Sequence, residues 1–191
     1  MNASLPLPAR RDSAVTLDLV EDVAGFLELR RDWEALFERS ATPAQLFQSH
    51  VFLRHWATHY LPPDTRLSIV IARQGGELAM IWPLVRQRRY GLDTLRFMGV
   101  PVAQFGDVLV GDGQESLLEA GWAFIQSRGA DLFEARKLRA DSRLALSGLL
   151  DGAVQGDRQE APFADLGRRV GETGPSLAYP ARERSNHRRR L

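Results

Sequence analysis

The chain contains no cysteine. That excludes disulfides, thiolate catalysis and cysteine-ligated zinc together. Lysine is nearly absent: Lys137 stands alone against 24 arginines, a bias that reads most simply as GC-rich coding and not as a binding code. No apolar run approaches the ~18 residues needed to cross a bilayer. The opening MNASLPLPARRDS lacks the apolar h-region of a secretory signal. The expected location is therefore the cytoplasm, with no membrane span.

What is present fits an ordinary globular chain. It has 191 residues, 44% hydrophobic and 26% charged, enough for one sizeable core that buries roughly 70% of the unfolded surface. Net charge is +1 but uneven: residues 167–191 hold seven Arg and two Glu, or +5, leaving −4 for the rest. Residues 1–13 have no periodicity and are expected to be disordered. A domain is expected over 14–166 and a basic tail over 167–191. Clustered charge is all that phosphate neutralisation needs. The final basic run, however, has no interleaved aromatics and no nucleic-acid module, so nucleic acid is not expected as a partner.

The stretch from Leu67 to Val110 organises the chain. LSIVIARQGGELAMIWPLV reads as two strands joined at Gln74-Gly75-Gly76-Glu77, where glycines can take the positive φ of a tight hairpin. Leu67 to Ala72 and Leu78 to Arg88 are the strands, with a bulge or unpaired stretch expected at Pro83, which has no ladder donor. Tyr90-Gly91-Leu92-Asp93 is a second turn, Thr94 to Met98 a strand, Gly99 to Gly106 a loop, and Asp107 to Val110 a short strand. Upstream, Val15 to Val20 alternates as a first strand. A single helix should follow, with Val23, Phe26, Leu27, Trp33 and Phe37 on a buried stripe and the Arg30 stem along it. A second helix spans about Ser49 to Tyr60. Downstream come a helix from about Gln114 to Arg128 with Gly129 as its C-cap, and a strand from Leu132. A helix capped by Asp141 or Ser142 then runs to about Leu150. Val154 to Arg158 and Pro162 to Leu166 are two further strands. Hairpins in the middle with segregated helices argue for an α+β fold, a mixed but mainly antiparallel sheet flanked by helices.

Several local stretches carry a resemblance. Asp32-Trp33-Glu34-Ala35-Leu36 precedes Phe47-Gln48-Ser49 and Phe52-Leu53-Arg54-His55-Trp56. Ile81-Trp82-Pro83-Leu84-Val85, Phe97-Met98-Gly99 and Phe105-Gly106-Asp107-Val108-Leu109 follow in order. Together with the element order, they resemble the N-terminal half of the CelD-like, FemAB-related GNAT N-acetyltransferases. The resemblance implies a GNAT-like fold over residues 15–166 and acetyl transfer from acetyl-CoA, as co-substrate, to an amine or sugar-amine acceptor. It also implies a second GNAT half as partner, opening at a basic helix that Arg184-Ser185-Asn186-His187-Arg188-Arg189-Arg190-Leu191 resembles. This chain would then be the substrate-side half. The alternative is a truncated or standalone GNAT-like binding domain without turnover.

The same resemblance points to site residues. GNAT enzymes hold the CoA pyrophosphate on backbone amides at a helix start, where unpaired N–H groups and the positive dipole end converge. That place reads Val110-Gly111-Asp112-Gly113-Gln114-Glu115, so Gly111 and Gly113 are the cofactor-binding candidates. It lacks the family's preceding Arg or Gln, and Asp112 and Glu115 oppose an anion. The stretch therefore reads either as a pyrophosphate loop or as an ordinary strand-to-helix turn. Asp107 is the catalytic candidate, as a base whose pKa burial would raise, or else a strand-start turn former. The family's acidic residue and Tyr just before it are here Gln104 and Phe105.

Other residues read more simply. His55 and His59 share a helix face at i and i+4, but no third ligand is evident, so no metal is expected. His50 reads as a helix-start residue. Tyr60, Tyr90 and Tyr179 have the chemistry of a general acid, with Tyr60 and Tyr90 better explained by a helix end and a turn. Trp33, Trp56, Trp82 and Trp122 read as packing. Arg86, Arg88 and Arg89 form either an anion contact or a solvated strand end.

Overall fold

A computed structural model describes residues 14–160. The chain divides into two compact units, Met1–Gly152 and Ala153–Leu191. Among the described residues, every helix and strand lies in the first. Of the second, residues 153–160 are exposed and in no regular element. This corrects the expected strand at Val154 to Arg158: Val154 is its only aliphatic residue and is fully exposed, with no apolar surface to alternate against. The expected strand at Pro162 to Leu166, the basic tail, Tyr179 and the N-terminal segment 1–13 lie outside the described residues.

Strand β1 is Val15–Val20, as expected. The single helix expected next is two. Asp22 caps α1, Val23–Glu28, by accepting from the Gly25 amide at 2.7 Å. The chain turns at Leu29 and α2, Arg30–Ser40, follows. The buried stripe is Phe26, Leu29, Trp33 and Leu36, whereas Val23 and Leu27 remain 46% and 44% exposed. Two apolar sets interleave at helical spacing, and the one carrying the large rings went inside. Trp33 is fixed there by donating its indole N–H to the Gln48 carbonyl at 2.8 Å. Arg30 faces solvent and pairs with Glu34 at i,i+4.

A 3-10 segment, Pro43–Gln48, leads to α3, His50–His59. The central meander then runs through β2 (Thr65–Leu67), β3 (Ile69–Gln74), β4 (Glu77–Trp82), β5 (Leu84–Arg89) and β6 (Leu92–Phe97). Both hairpins are two-residue turns. Gly75 and Gly76 have φ of 60° and 89°, and Tyr90 and Gly91 have 51° and 83°, the left-handed pairs whose twist matches antiparallel strands. β7 (Leu109–Val110), α4 (Ser116–Ser127), β8 (Leu132–Glu134) and α5 (Arg143–Leu146) complete the order.

Among the described residues the strands form two four-stranded sheets, β1-β3-β4-β7 and β2-β5-β6-β8, antiparallel except for β6 with β8. The fold is mixed α+β with helices flanking both sheets. Pro83 is the point of division. It donates nothing to a ladder, and its carbonyl instead accepts from Met98 N at 2.8 Å. The expected single return strand thus splits, β4 entering one sheet and β5 the other. Ser68 marks the matching break between β2 and β3. β6 pairs Phe97 with Leu84, and β7 pairs Leu109 with Ile81. β6 and β7 therefore lie on one line beside the continuous β4–β5 segment, separated by the excursion 98–108.

Alternate strand residues feed two cores. Ile69, Ile71, Ile81, Val85 and Leu109 pack with Phe26, Trp33, Leu36 and Trp56 of the first three helices. Val70, Ala72, Met80, Trp82 and Val110 pack with Leu117, Leu118 and Ile125 of α4 and Leu144 of α5. Burial on both faces explains why the central strands read as near-continuous apolar runs. Trp33, Trp56 and Trp82 are buried and Trp122 is half-buried against Trp82, so all four are packing residues. No helix of the described residues is long and apolar enough to cross a membrane.

Candidate functional site

Asp107 sits where the 98–108 excursion rejoins the sheet. The loop returns close to β6: a Cβ on Gly106 would lie 2.3 Å from the Phe97 ring. This approach buries Asp107 to 5% exposure. Its Oδ2 accepts from Gln45 Nε2 at 2.9 Å and from the Arg143 amide at 3.2 Å, and its Oδ1 accepts from the Leu144 amide at 3.2 Å. Ser142 Oγ accepts from Ala145 N at 3.1 Å. Two side chains thus satisfy the first three amides of α5, groups that have no partner within a helix. Burial raises the Asp107 pKa, while hydrogen bonds from the Val108, Leu144 and Arg143 amides and from Gln45 oppose that rise. The carboxylate ties the 3-10 segment, β7 and α5 together.

The glycine turn follows β7 and is filled by its own side chains. Gly111 N donates to the Ala79 carbonyl at 2.9 Å, and Gly111 O accepts from Gln114 N at 3.0 Å. The Gln114 amide folds back over Gly111, where a Cβ would lie 1.9 Å from Oε1, and donates through Nε2 to Gln74 at 2.8 Å. Gly113 takes a φ of 74° that favours glycine, and its N–H faces Glu115 Oε1 at 3.4 Å. Leu117 N and Leu118 N return to the carbonyls of Gln114 and Glu115. Across the mouth, the Arg143 guanidinium contacts Asp112 at 2.5 Å and Glu115 at 2.9 Å. An arriving pyrophosphate would have to displace that guanidinium from two carboxylates and then face them.

Arg143 therefore links both candidate places. Its backbone amide holds Asp107 and its side chain clasps the turn that bears Gly111 and Gly113. Sequence reasoning missed both Arg143 and Gln45. Ser142 as a helix cap was the one signal that α5 begins at this point; nothing in residue spacing showed that its amides meet a carboxylate 36 positions earlier.

Among the described residues, the remaining candidates make no hydrogen bond or ion pair with this place. His55 and His59 are exposed on α3 with ring centroids 4.5 Å apart, and no metal-capable cluster of three such side chains exists among the described residues. His50 is buried against Phe26 and Trp33, with Nε2 3.2 Å from the Phe26 carbonyl. Burial lowers its pKa more than that contact and nearby Glu34 raise it. Tyr90 occupies the exposed hairpin turn, and Tyr60 the exposed end of α3. An open apolar groove, lined by Val23, Leu27, Leu46, Val51 and Phe52, runs along α1, the 3-10 segment and α3.

No family model matches the chain, and no curated protein matches it either. Among solved structures, an aminoglycoside acetyltransferase from an uncultured soil metagenomic sample, crystallised with trehalose, is 14% identical. That match covers 79% of this chain and 95% of the other at a TM-score of 0.41. The same enzyme with sisomicin gives the same values. A ribosomal-protein-alanine N-acetyltransferase from Brucella melitensis biovar Abortus 2308 is 12% identical over 80% of this chain and 99% of its own, with a TM-score of 0.39. Likenesses this loose carry no argument about activity.

Proposed function

We propose that this chain is the substrate-side half of an acyl-CoA-dependent N-acyltransferase of the CelD-like GNAT type, and that it does not turn over acetyl-CoA alone. The family part of this reading rests on the ordered stretches from Asp32 to Leu109. The division of labour rests on one observation: the turn that would hold the CoA pyrophosphate is closed by Gln114 and Arg143. The donor site then belongs to a second GNAT domain, and the open groove lined by Val23, Leu27, Leu46 and Val51 is the kind of apolar surface a partner domain covers. Acetyl would pass from the thioester to an amine or sugar-amine acceptor, leaving CoA as the thiol. In that complex Asp107 is the proposed base. To act so it would have to release the Arg143 and Leu144 amides, because both its oxygens are engaged.

Free-thiol release from acetyl-CoA in the presence of primary amines and aminosugars tests this. The chain alone should release none above the uncatalysed rate. Joined to a complete GNAT domain it should support transfer, and Asp107→Asn should abolish that transfer. Turnover by the chain alone would overturn the division of labour. Transfer that is indifferent to this half would overturn its substrate-side role.

The second reading, a binding domain with no acyl transfer at all, is favoured by the same saturation of Asp107. It predicts no thiol release in either arrangement.

A further inference from the structure

The three arginines that the sequence grouped, Arg86, Arg88 and Arg89, are divided by the alternation of β5. Arg86 is neutralised by Asp93, meeting both carboxylate oxygens at 2.9 Å through Nε. Arg88 is exposed. Arg89 lies on the opposite face, and there it joins two arginines from other segments.

Register fixes that face. Residues paired across antiparallel or parallel strands point to the same side. Thr65 pairs with Gln87, Gln87 with Thr94, Val85 with Arg96, Arg89 with Leu92, and Arg96 with Glu134. One face of the β2-β5-β6-β8 sheet therefore carries Thr65, Gln87, Arg89, Thr94, Arg96 and Glu134. Arg89 Nη1 reaches Glu134 Oε2 at 3.3 Å, Arg96 Nε lies 2.7 Å from the same oxygen, and Arg136 Nε lies 2.9 Å from Oε1. Arg89 and Glu134 meet from either side of Thr94, which is left 2% exposed.

The charges do not balance. Among the described residues, three guanidiniums converge on one carboxylate, leaving +2. Only 14% of the Arg96 side chain is exposed; its Nε lies 2.7 Å from Glu134 Oε2, a charge contact that does not form a well-aligned hydrogen bond. The Thr65 hydroxyl on the same face is buried without a partner among the described residues. Burial lowers the Arg96 pKa; Glu134 raises it, and Arg89 and Arg136 lower it again. A buried donor without a well-aligned acceptor is costly, and clustered cations short of two counter-charges lack what a dianion supplies. Guanidinium forks match tetrahedral oxyanions in geometry as well as charge.

We propose that Arg89, Arg96 and Arg136 form a binding site for a phosphate-type dianion on this face of the sheet. The dianion brings the local charge to zero and gives the Arg96 Nε–H a well-aligned acceptor. Glu134 holds the arginines in place and competes with the ligand for them. The site is separate from the Asp107 network and does not depend on acyl transfer.

The test is a titration of the full chain with inorganic phosphate at pH 8 and constant ionic strength, followed by NMR of arginine Nε–H resonances. Saturable shifts are expected at Arg89, Arg96 and Arg136. Arg136→Gln, at an exposed position that spares the fold, should weaken phosphate about tenfold. Glu134→Gln removes the competing carboxylate and should tighten phosphate about fivefold. Shifts that follow ionic strength alone, or an Arg136→Gln variant that binds phosphate unchanged, would overturn the site. So would weaker binding by a folded Glu134→Gln variant; if that variant does not fold, Arg136→Gln still decides. Glycerol 3-phosphate gives the same shifts if the natural ligand is a phosphomonoester and none if it is the free ion; the dianion site stands in both.

Discussion

Asp107 and Glu134 are both carboxylates at the edges of sheets, and they are treated oppositely. Asp107 is buried and receives neutral donors on both oxygens: one side-chain amide and two helix amides. Glu134 is partly open and receives three guanidiniums. The first arrangement is closed, with the donors near the carboxylate spent on holding three chain segments together. The second is over-supplied with positive charge among the described residues, and the buried Arg96 Nε–H meets Glu134 without good alignment. A fully satisfied polar cluster rigidifies the structure around it, whereas a partly satisfied one is costly to bury.

Breaking the closed cluster should give the largest effect. Asp107→Ala strands Gln45 and two α5 amides in a buried place and should cost about 3 kcal/mol in urea denaturation. Gly106→Ala attacks the same region through packing, since its Cβ would run into the Phe97 ring; about 2 kcal/mol is expected.

Acidity sharpens the comparison. The Asp107 pKa is raised on folding, so the folded state binds its proton more tightly than the unfolded chain. Its contribution to stability is greatest below the ordinary carboxylate range and is lost as pH rises through the folded pKa. The stability of Asp107→Asn relative to wild type should therefore improve as pH rises across that window. Melting both proteins across an acid-to-neutral series checks this; a relative stability that falls with pH would reverse the assigned shift.

Smaller effects belong to exposed ion pairs. Arg143→Gln removes the clasp on Asp112 and Glu115 but keeps the amide that Asp107 accepts. It should cost less than about 1 kcal/mol, and thermal melting would resolve a larger loss if the clasp holds α5 in place.

The sequence made the strands legible and left the contacts between distant segments dark. β1, both hairpin turns and the α5 cap at Ser142 follow from alternation, from glycine at positive φ and from a capping side chain, all local causes. Pro83 announced a disturbance, yet its consequence, one strand shared between two sheets, depends on Met98 arriving from another segment. The α1–α2 break at Leu29 was hidden because two apolar sets both fit helical spacing. The resemblance singled out Asp107, but its partners come from residues 45 and 143–144. The Glu134 cluster was hidden more completely: its arginines come from β5, from β6 and from just past β8, and only the register brings them to one face.

The proposed division of labour turns on the Gly111–Gly113 turn being closed to acyl-CoA in this chain by itself. Calorimetric titration of acetyl-CoA into the Arg89→Gln/Arg136→Gln variant tests it most directly, because that variant removes the arginine cluster as a competing phosphate site. No saturable heat at millimolar ligand is the predicted result; saturable binding there would contradict it.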